Sequence, residues 1–260
     1  MLFILLKIKR LSVFHHAFFR PQKFNELLLP TMLLNKKNRQ QPIDANKIPE
    51  PSLRRLPWYL AYAKIARRRG ETNLSSTQIA QEIGVDASQV AKDFSFVNIT
   101  GKTRVGYDTS QLIDTLDTFL GFSNRHRAFI FGAGSLGSSL MHDDGLKQYG
   151  LHIEAAFDVK TQIVGTHINH IPIQHTDNFW QLQQDLHVSI GILTVPAEQA
   201  QEVADMMIAG GIKAIWNFTP YRIRVPQNIV VQNTSIYSHL AVMYNRLHAT
   251  LIDDTDLTED

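Results

Sequence analysis

The sequence predicts an α/β protein of two modules, a small helical one first and a doubly wound parallel sheet after it. Three observations predict it. Two short helices, each with its own start signal, flank a very short connection at Gly84 and Val85. From residue 128 onward, apolar strand-like runs alternate with helical stretches. Between the first such run and its helix stands Gly132-Ala133-Gly134-Ser135-Leu136-Gly137, a GxGxxG pattern. At 260 residues the chain exceeds the usual size of a single domain, so two cores are expected.

Residues 1–46 precede the regular pattern and read as an extension, either disordered or translated upstream of a true start at Met32. Their apolar runs, Leu2 to Leu6 and Leu27 to Leu34, fall well short of the roughly 18 apolar residues of a membrane span. No basic stretch precedes the first run and no small-residue cleavage site follows it, so a secretory signal is not expected.

The first module is expected over 47–108. Leu53, Leu56, Leu60 and Ala63 are spaced for one helix face, with Pro57 expected at or near its regular start and Arg67, Arg68, Arg69 and Gly70 closing it. Ser75 with Gln78 has the form of a capping box, opening a helix that carries Ile79, Ala80 and Ile83 and stops at Gly84. Asp86 with Gln89 has the form of a second, opening a helix through Phe94. Helix, tight glycine turn, helix is the signature of a helix-turn-helix. On the second short helix Ala87, Val90 and Phe94 share the apolar face, which leaves Ser88, Gln89 and Lys92 to face a DNA groove. Lys92 suits a guanine edge or a phosphate, and Gln89 suits adenine. The run Ile99 to Tyr107, with Lys102 and Arg104, reads as a basic wing beside that helix.

The second module is expected over 109–234, beginning with an amphipathic linking helix that carries Leu112, Leu116, Phe119 and Leu120. Strands are expected at Ala128 to Phe131, Ile153 to Phe157, Val188 to Leu193, Ile212 to Phe218 and Ile229 to Val231, with helices at 135–147, 177–186 and 197–209. That alternation implies a parallel sheet covered on both faces. An amphipathic helix, Ser235 to Leu251, and an acidic tail over 253–260 close the chain.

The glycine pattern carries the chemistry. It follows a strand and opens a helix, so its N–H groups and helix dipole face an anion such as a pyrophosphate, the arrangement of a Rossmann dinucleotide site. Asp158 ends the next strand, where a carboxylate accepts from an adenosine ribose diol and repels a 2′-phosphate, so NADH and NAD⁺ are favoured over the phosphorylated forms. Lys160, two residues on, softens that discrimination.

Composition narrows the class further. Hydrophobic residues make up 44% and charged residues 19%, the profile of a globular protein. With no cysteine, disulfides, thiolate zinc sites and thiol redox sensing are excluded, so a redox response must come through a ligand. The net charge of +2 hides a segregation: residues 1–107 hold 18 Lys and Arg against 7 Asp and Glu, whereas the remainder holds 8 against 17. A basic module joined to an acidic one suggests that the first meets a polyanion. His167, His170 and His175 lack metal-ligand spacing, and no metal is expected. Asp143 and Asp144 read as a helix end, and Trp180 and Trp216 as core. No YxxxK pair or His–Asp arrangement is placed beside the nicotinamide, which tilts the reading from dehydrogenase to sensor.

Taken together, IPEPSLRRLPWY (48–59), QVAKDFS (89–95), VGYD (105–108), FGAGSLG (131–137), FDV (157–159), TVPAEQAQEVAD (194–205) and GIKAIWNFTP (211–220) resemble the Rex family of redox-sensing transcriptional repressors. The order and spacing agree from about Ile48 to Leu251. The resemblance implies a winged helix-turn-helix domain, a Rossmann NAD-binding domain, and a C-terminal helix, here 235–252, that is swapped between the subunits of a homodimer. It implies a cytoplasmic repressor, not an enzyme, that binds an inverted-repeat operator in double-stranded DNA and is released when NADH replaces NAD⁺. It adds Ser95 to the DNA-facing residues, and Thr194, Val195, Pro196, Asn217 and Phe218 to the glycine run and Asp158 around the dinucleotide. Four departures stand out. Ala91 and Phe94 replace the Arg and Leu of the family's VRKDLS, Thr103-Arg104 replaces an Arg-Gly in the wing, and Ser235 replaces an Asp at the start of the swapped helix. The competing readings are an NAD-dependent oxidoreductase with an accessory N-terminal domain, and a DNA-binding regulator that senses another nucleotide.

Overall fold

In the computed structural model of the chain, residues 48–256 are described, with side chains as far as Thr250. The expected extension over 1–46 lies outside the described residues, as do 257–260 of the acidic tail. The described residues fall within one compact unit, Ile43–Asp260.

The N-terminal module comprises α1 (Glu50–Arg68), β1 (Asn73–Leu74), α2 (Ser76–Ile83), α3 (Ala87–Phe96), β2 (Tyr107–Asp108) and α4 (Thr109–Phe119). Helix α1 does not begin at Pro57 but runs through it. An interior proline costs a helix about 3 kcal/mol. Burial of Leu56, Tyr59, Leu60, Ala63 and Ala66 on the same helix overrides that local cost. The capping box forms as expected: the Gln78 N–H donates to Ser75 Oγ at 3.1 Å and the Ser75 N–H to Gln78 Oε1 at 2.8 Å. The box at Asp86 does not form, because its side chain makes no cap bond and Gln89 instead donates to Asp93 Oδ1 at 2.7 Å. Strands β1 and β2 pair antiparallel, Leu74 opposite Tyr107. This small sheet ties the segment before α2 to the end of the wing. Gly106 is required there, since at φ +90° a Cβ would stand 2.4 Å from the Leu74 carbonyl oxygen.

Helix α4 moves the expected boundary at 108/109. Its Leu112, Ile113 and Leu116 are buried with Leu56, Tyr59, Ile79, Val90 and Phe94 in a single apolar cluster, which Phe119, Leu120 and Phe122 extend. By packing, the linking helix belongs to the first core, and that core ends near Phe122.

The second module is a seven-stranded sheet in the order β5-β6-β4-β3-β7-β8-β9. Its strands are β3 (His126–Phe131), β4 (Leu151–Asp158), β5 (His167–Ile168), β6 (Ile171–His175), β7 (Ile190–Leu193), β8 (Ala214–Asn217) and β9 (Val230–Asn233). All neighbouring pairs are parallel except β5 with β6. Without the short edge strand β5, this is the doubly wound dinucleotide-binding order, which reverses direction between β3 and β7. The β5–β6 pair was not visible in the sequence, where 167–175 has the look of irregular chain. It is a hairpin whose two turn residues, Asn169 and His170, both have positive φ (46° and 66°), the geometry of a tight two-residue turn.

Side chains of β3 alternate in direction. Ala128 and Ile130 join Ile173, Ile192 and Met141 on the face covered by α5 (Ser135–His142). Phe129 and Phe131 join Phe157 and Phe179 on the face covered by α7 (Phe179–Leu186) and α8 (Ala200–Ala209). A short helix, α6 (Gly145–Gln148), follows α5. The last helix, α9 (Ile236–Asp256), extends past the expected end at Leu251. Ile236, Tyr237, Val242, Met243, Tyr244 and Leu247 are all at least half exposed along it, so in the single chain its apolar residues have no covering layer.

Candidate functional site

The strand reversal opens a cavity of about 290 Å³ at the carboxyl ends of β3 and β7. Gly132, Gly134, Asp158, Thr194, Val195 and Pro196, six of the expected residues, line it, with Phe131 and Phe157 among the apolar residues around it. Each glycine of the pattern has its own reason. At Gly132, φ is +98° and a Cβ would lie 2.8 Å from the Thr194 carbonyl oxygen, so the turn fits only glycine. A Cβ on Gly137 would lie 2.0 Å from the Gly132 carbonyl oxygen, so helix and turn could not close. Gly134 differs, since a Cβ there would meet nothing within 4 Å. No packing within the chain demands that glycine, and the space it leaves lies in the cleft.

Helix α5 begins at Gly134, which gives it no side-chain cap. The first-turn N–H groups of Ser135, Leu136 and Gly137 have no side-chain cap, as an anion site at a helix start requires, although these three residues themselves stand outside the cavity lining. The Ala133 N–H does not share that role: it donates to Asp158 Oδ2 at 2.8 Å. The other Asp158 oxygen accepts from the Lys160 N–H at 2.9 Å. Asp158 thus ties the glycine turn to the end of β4, and two of a carboxylate's roughly four acceptor positions remain for a ligand. Thr194 clamps the opposite strand end, its hydroxyl donating to the Gly132 carbonyl at 2.7 Å. These groups fit an adenine dinucleotide, with the pyrophosphate against α5 and the ribose at Asp158.

Asn217 and Phe218 are not brought into the lining. The Asn217 side chain is buried and spent internally: its amide donates to the Tyr221 carbonyl and to Asn233 Oδ1, while its oxygen accepts from the Thr219 N–H and hydroxyl. It shapes the turn after β8. Phe218 packs against Trp216, ring centroids 4.6 Å apart. The sequence reading missed Val159, Thr176, Gln199 and Val203, which also line the cleft. Val159 carried a signal as an apolar residue directly after the strand-ending carboxylate, and Gln199 and Val203 lie within the matching stretch 194–205, whereas Thr176 carried none.

The outer face of α3 presents Ser88, Ala91, Lys92 and Ser95, all exposed. Lys92 makes no ion pair among the described residues, and Ser95 Oγ donates to the Lys92 carbonyl at 2.6 Å. Gln89 is half-buried, held by Asp93. In the wing, the Lys102 N–H donates to the Gly106 carbonyl at 2.8 Å and the reverse bond is 2.9 Å, closing a tight loop with Lys102, Thr103 and Arg104 exposed. Arg104 has φ +65°, the left-handed region that favours glycine. The Thr103-Arg104 departure therefore shifts the wing's cation onto the turn position itself, at a cost of roughly 1–2 kcal/mol. The basic excess is also smaller here than the whole segment suggests. Residues 48–107 carry 9 Lys and Arg against 5 Asp and Glu, and the rest of the excess lies in 1–47, outside the described residues.

Asp93, which sequence reasoning passed over, anchors α3. It is fully buried and accepts from Arg55 Nε (2.7 Å), Arg55 Nη2 (2.9 Å) and the Tyr59 hydroxyl (2.7 Å), all on α1, as well as from Gln89. Burial alone would push its carboxyl up, but hydrogen bonds from Arg55, Tyr59, Ser52 and Gln89 together hold it below the usual carboxylate range. Its bond to Asp93 also keeps Arg55 charged at any ordinary pH. Behind this pair the rings of Tyr59, Phe94 and Tyr107 stack edge to face at 5.2 and 4.8 Å. Phe94, the larger replacement for a leucine, is thereby accommodated in the core.

Among the described residues, no group of three or more His, Asp or Glu could hold a metal ion. No described helix is long and apolar enough to cross a membrane.

Comparison with known proteins agrees with this layout. Residues 47–95 match the family of putative DNA-binding protein N-termini, and 123–221 match the CoA binding domain family. The redox-sensing transcriptional repressor Rex of Bacteroides thetaiotaomicron is 61% identical over 208 residues, covering 80% of this chain and 94% of that protein. Its counterpart in Porphyromonas gingivalis is 56% identical over 201 residues, covering 77% and 92%. Among solved structures, RSP in complex with beta-NAD+ and operator DNA superposes with TM-score 0.75 at 27% identity, covering 82% of this chain and 99% of that one. RSP in complex with beta-NADH gives 0.73 at the same identity, covering 80% and 98%. The chain belongs to the Rex family of redox-sensing transcriptional repressors.

Proposed function

We propose that the chain is a homodimeric repressor that holds operator DNA through α3 and the wing, and that leaves it when NADH occupies the cleft beyond β3. The observation that carries this reading is the joining, in one compact unit, of a winged helix-turn-helix to a switch-point cleft in which Gly134 leaves open space. The similarity to Rex repressors and to the complexes of RSP with beta-NAD+ and operator DNA and with beta-NADH supports it.

In this reading Gly132, Gly134, Ser135, Leu136 and Gly137 form the pyrophosphate cradle, Asp158 receives the ribose, and Thr194, Val195 and Pro196 wall the far side. The dinucleotide supplies the signal through its oxidation state. Among the described residues, Asp158 and Lys160 are the only charged side chains in the cleft lining, which suits a sensor better than an acid–base catalyst.

Ser88, Lys92 and Ser95 face the major groove, with Gln89 beside them turned inward to Asp93, while Lys102 and Arg104 meet the backbone or minor groove alongside. Two such heads reach successive major grooves only when one helical turn apart, which requires a dimer and an inverted-repeat site. Helix α9 supplies the dimer contact: its uncovered Tyr237, Val242, Met243, Tyr244 and Leu247 are buried against a second copy by exchange of residues 235–252. A cytoplasmic location follows from a chromosomal target. NADH acts only through its difference in affinity for the two arrangements of the dimer.

A gel shift on an inverted-repeat operator tests the reading. NADH is expected to release the complex at concentrations where NAD⁺ leaves it intact; equal release by both contradicts redox sensing.

A further inference from the structure

Lys160 and Asp158 are the charged residues among the described residues that line the cleft, two positions apart in the chain at the end of β4. The Lys160 backbone is fixed there: its N–H donates to Asp158 Oδ1 at 2.9 Å, and its carbonyl accepts from the Ile163 and Val164 N–H groups at 3.1 Å each. Its side chain is exposed at the cleft rim and makes no ion pair among the described residues. Asp158, by contrast, already has both oxygens bonded to backbone N–H groups. A carboxylate alone at this position turns away a phosphorylated ribose by like-charge repulsion. An ammonium two residues on offers that phosphate a charge-assisted partner of opposite sign.

Resting on the reading of the cleft as an adenine-dinucleotide site, we infer that Lys160 makes it accept an adenosine ribose that carries a phosphomonoester. Two cellular sources offer that chemistry, NADPH with a 2′-phosphate and coenzyme A with a 3′-phosphate. The cleft then reports a second nucleotide pool besides NADH.

Calorimetric titration of the full-length dimer with NADH, NADPH and coenzyme A, on wild-type protein and on Lys160→Ala and Lys160→Arg, tests this. NADPH or coenzyme A should bind wild-type protein within about 100-fold of NADH, and their affinity relative to NADH should fall about tenfold or more in Lys160→Ala. Lys160→Arg should restore the ratio, and added salt should lower it. A 2′-phosphate source shows the effect with NADPH, a 3′-phosphate source with coenzyme A. Rejection of both ligands by wild-type protein, or a ratio untouched by Lys160→Ala, overturns the inference while leaving NADH binding in place. Failure of wild-type protein to bind NADH overturns the underlying reading as well.

Discussion

Gly134→Val yields a repressor that still binds its operator and no longer responds to NADH. Gly134 opens α5 with an ordinary negative φ of −69°, and a Cβ there meets no protein atom within 4 Å. The substitution therefore costs the fold little beyond the roughly 1 kcal/mol by which a β-branched residue is disfavoured at a helix N-cap. Its branched carbon fills the space through which the backbone approaches a pyrophosphate. NADH affinity is expected to fall about 100-fold or more, equivalent to about 2.7 kcal/mol. Fluorescence titration of NADH, with a melting curve beside it, reads both effects. Gly137→Ala is the contrasting variant: its Cβ collides with the Gly132 carbonyl at 2.0 Å, so it should lower the melting temperature as well as the affinity. If Gly134→Val binds NADH normally, the pyrophosphate is not where the cleft places it.

Asp93→Ala strips the recognition helix of its anchor. The partner Arg55 is 18% exposed and Asp93 not at all, so the variant leaves a largely buried guanidinium and the Tyr59 hydroxyl without their acceptor. Removing one member of a buried pair costs about 3–5 kcal/mol. Urea denaturation should show a loss of that size, and operator binding should collapse with it. The pair also makes a pH prediction. The folded Asp93 carboxyl lies below its ordinary value of 3.8, so its contribution is complete above that value and is lost as pH falls below it through the folded value. The stability gap between wild type and Asp93→Asn should be full at neutral pH and close in acid. A gap that is constant down to strongly acidic pH contradicts the ion pair as drawn.

Local signals carried most of the fold. The capped α2, the glycine turn and the GxGxxG between strand and helix are decided by residues within a few positions of one another, and each forms where expected. What the sequence hid depends on distant partners. Arg55 and Asp93 are 38 residues apart. The one trace of their contact is a carboxylate between Val90 and Phe94 on the otherwise apolar face of α3. Pro57 reads as a position at or near a helix start because its local penalty is plain in sequence and the burial that offsets it is not. The amphipathic helix α4 showed its apolar stripe but not which core would receive it. Strand β6 was hidden by His167, His170 and Pro172, although buried Ile171 and Ile173 alternate as a strand should. At the site, Asp158 and the glycines follow from the chemistry of a phosphate-binding turn. Asn217 belongs to a recognisable motif, yet only the folded chain reveals that its amide is consumed by Thr219, Tyr221 and Asn233.

We propose that occupancy of the cleft by reduced dinucleotide changes the spacing of two DNA-reading heads. Because the chain has no cysteine, Gln81→Cys on the exposed surface of α2 puts one spin label on each head of the dimer. Pulsed electron paramagnetic resonance should give a distance distribution in NAD⁺ that shifts by several ångströms in NADH. Superimposable distributions in saturating NAD⁺ and NADH would contradict the account.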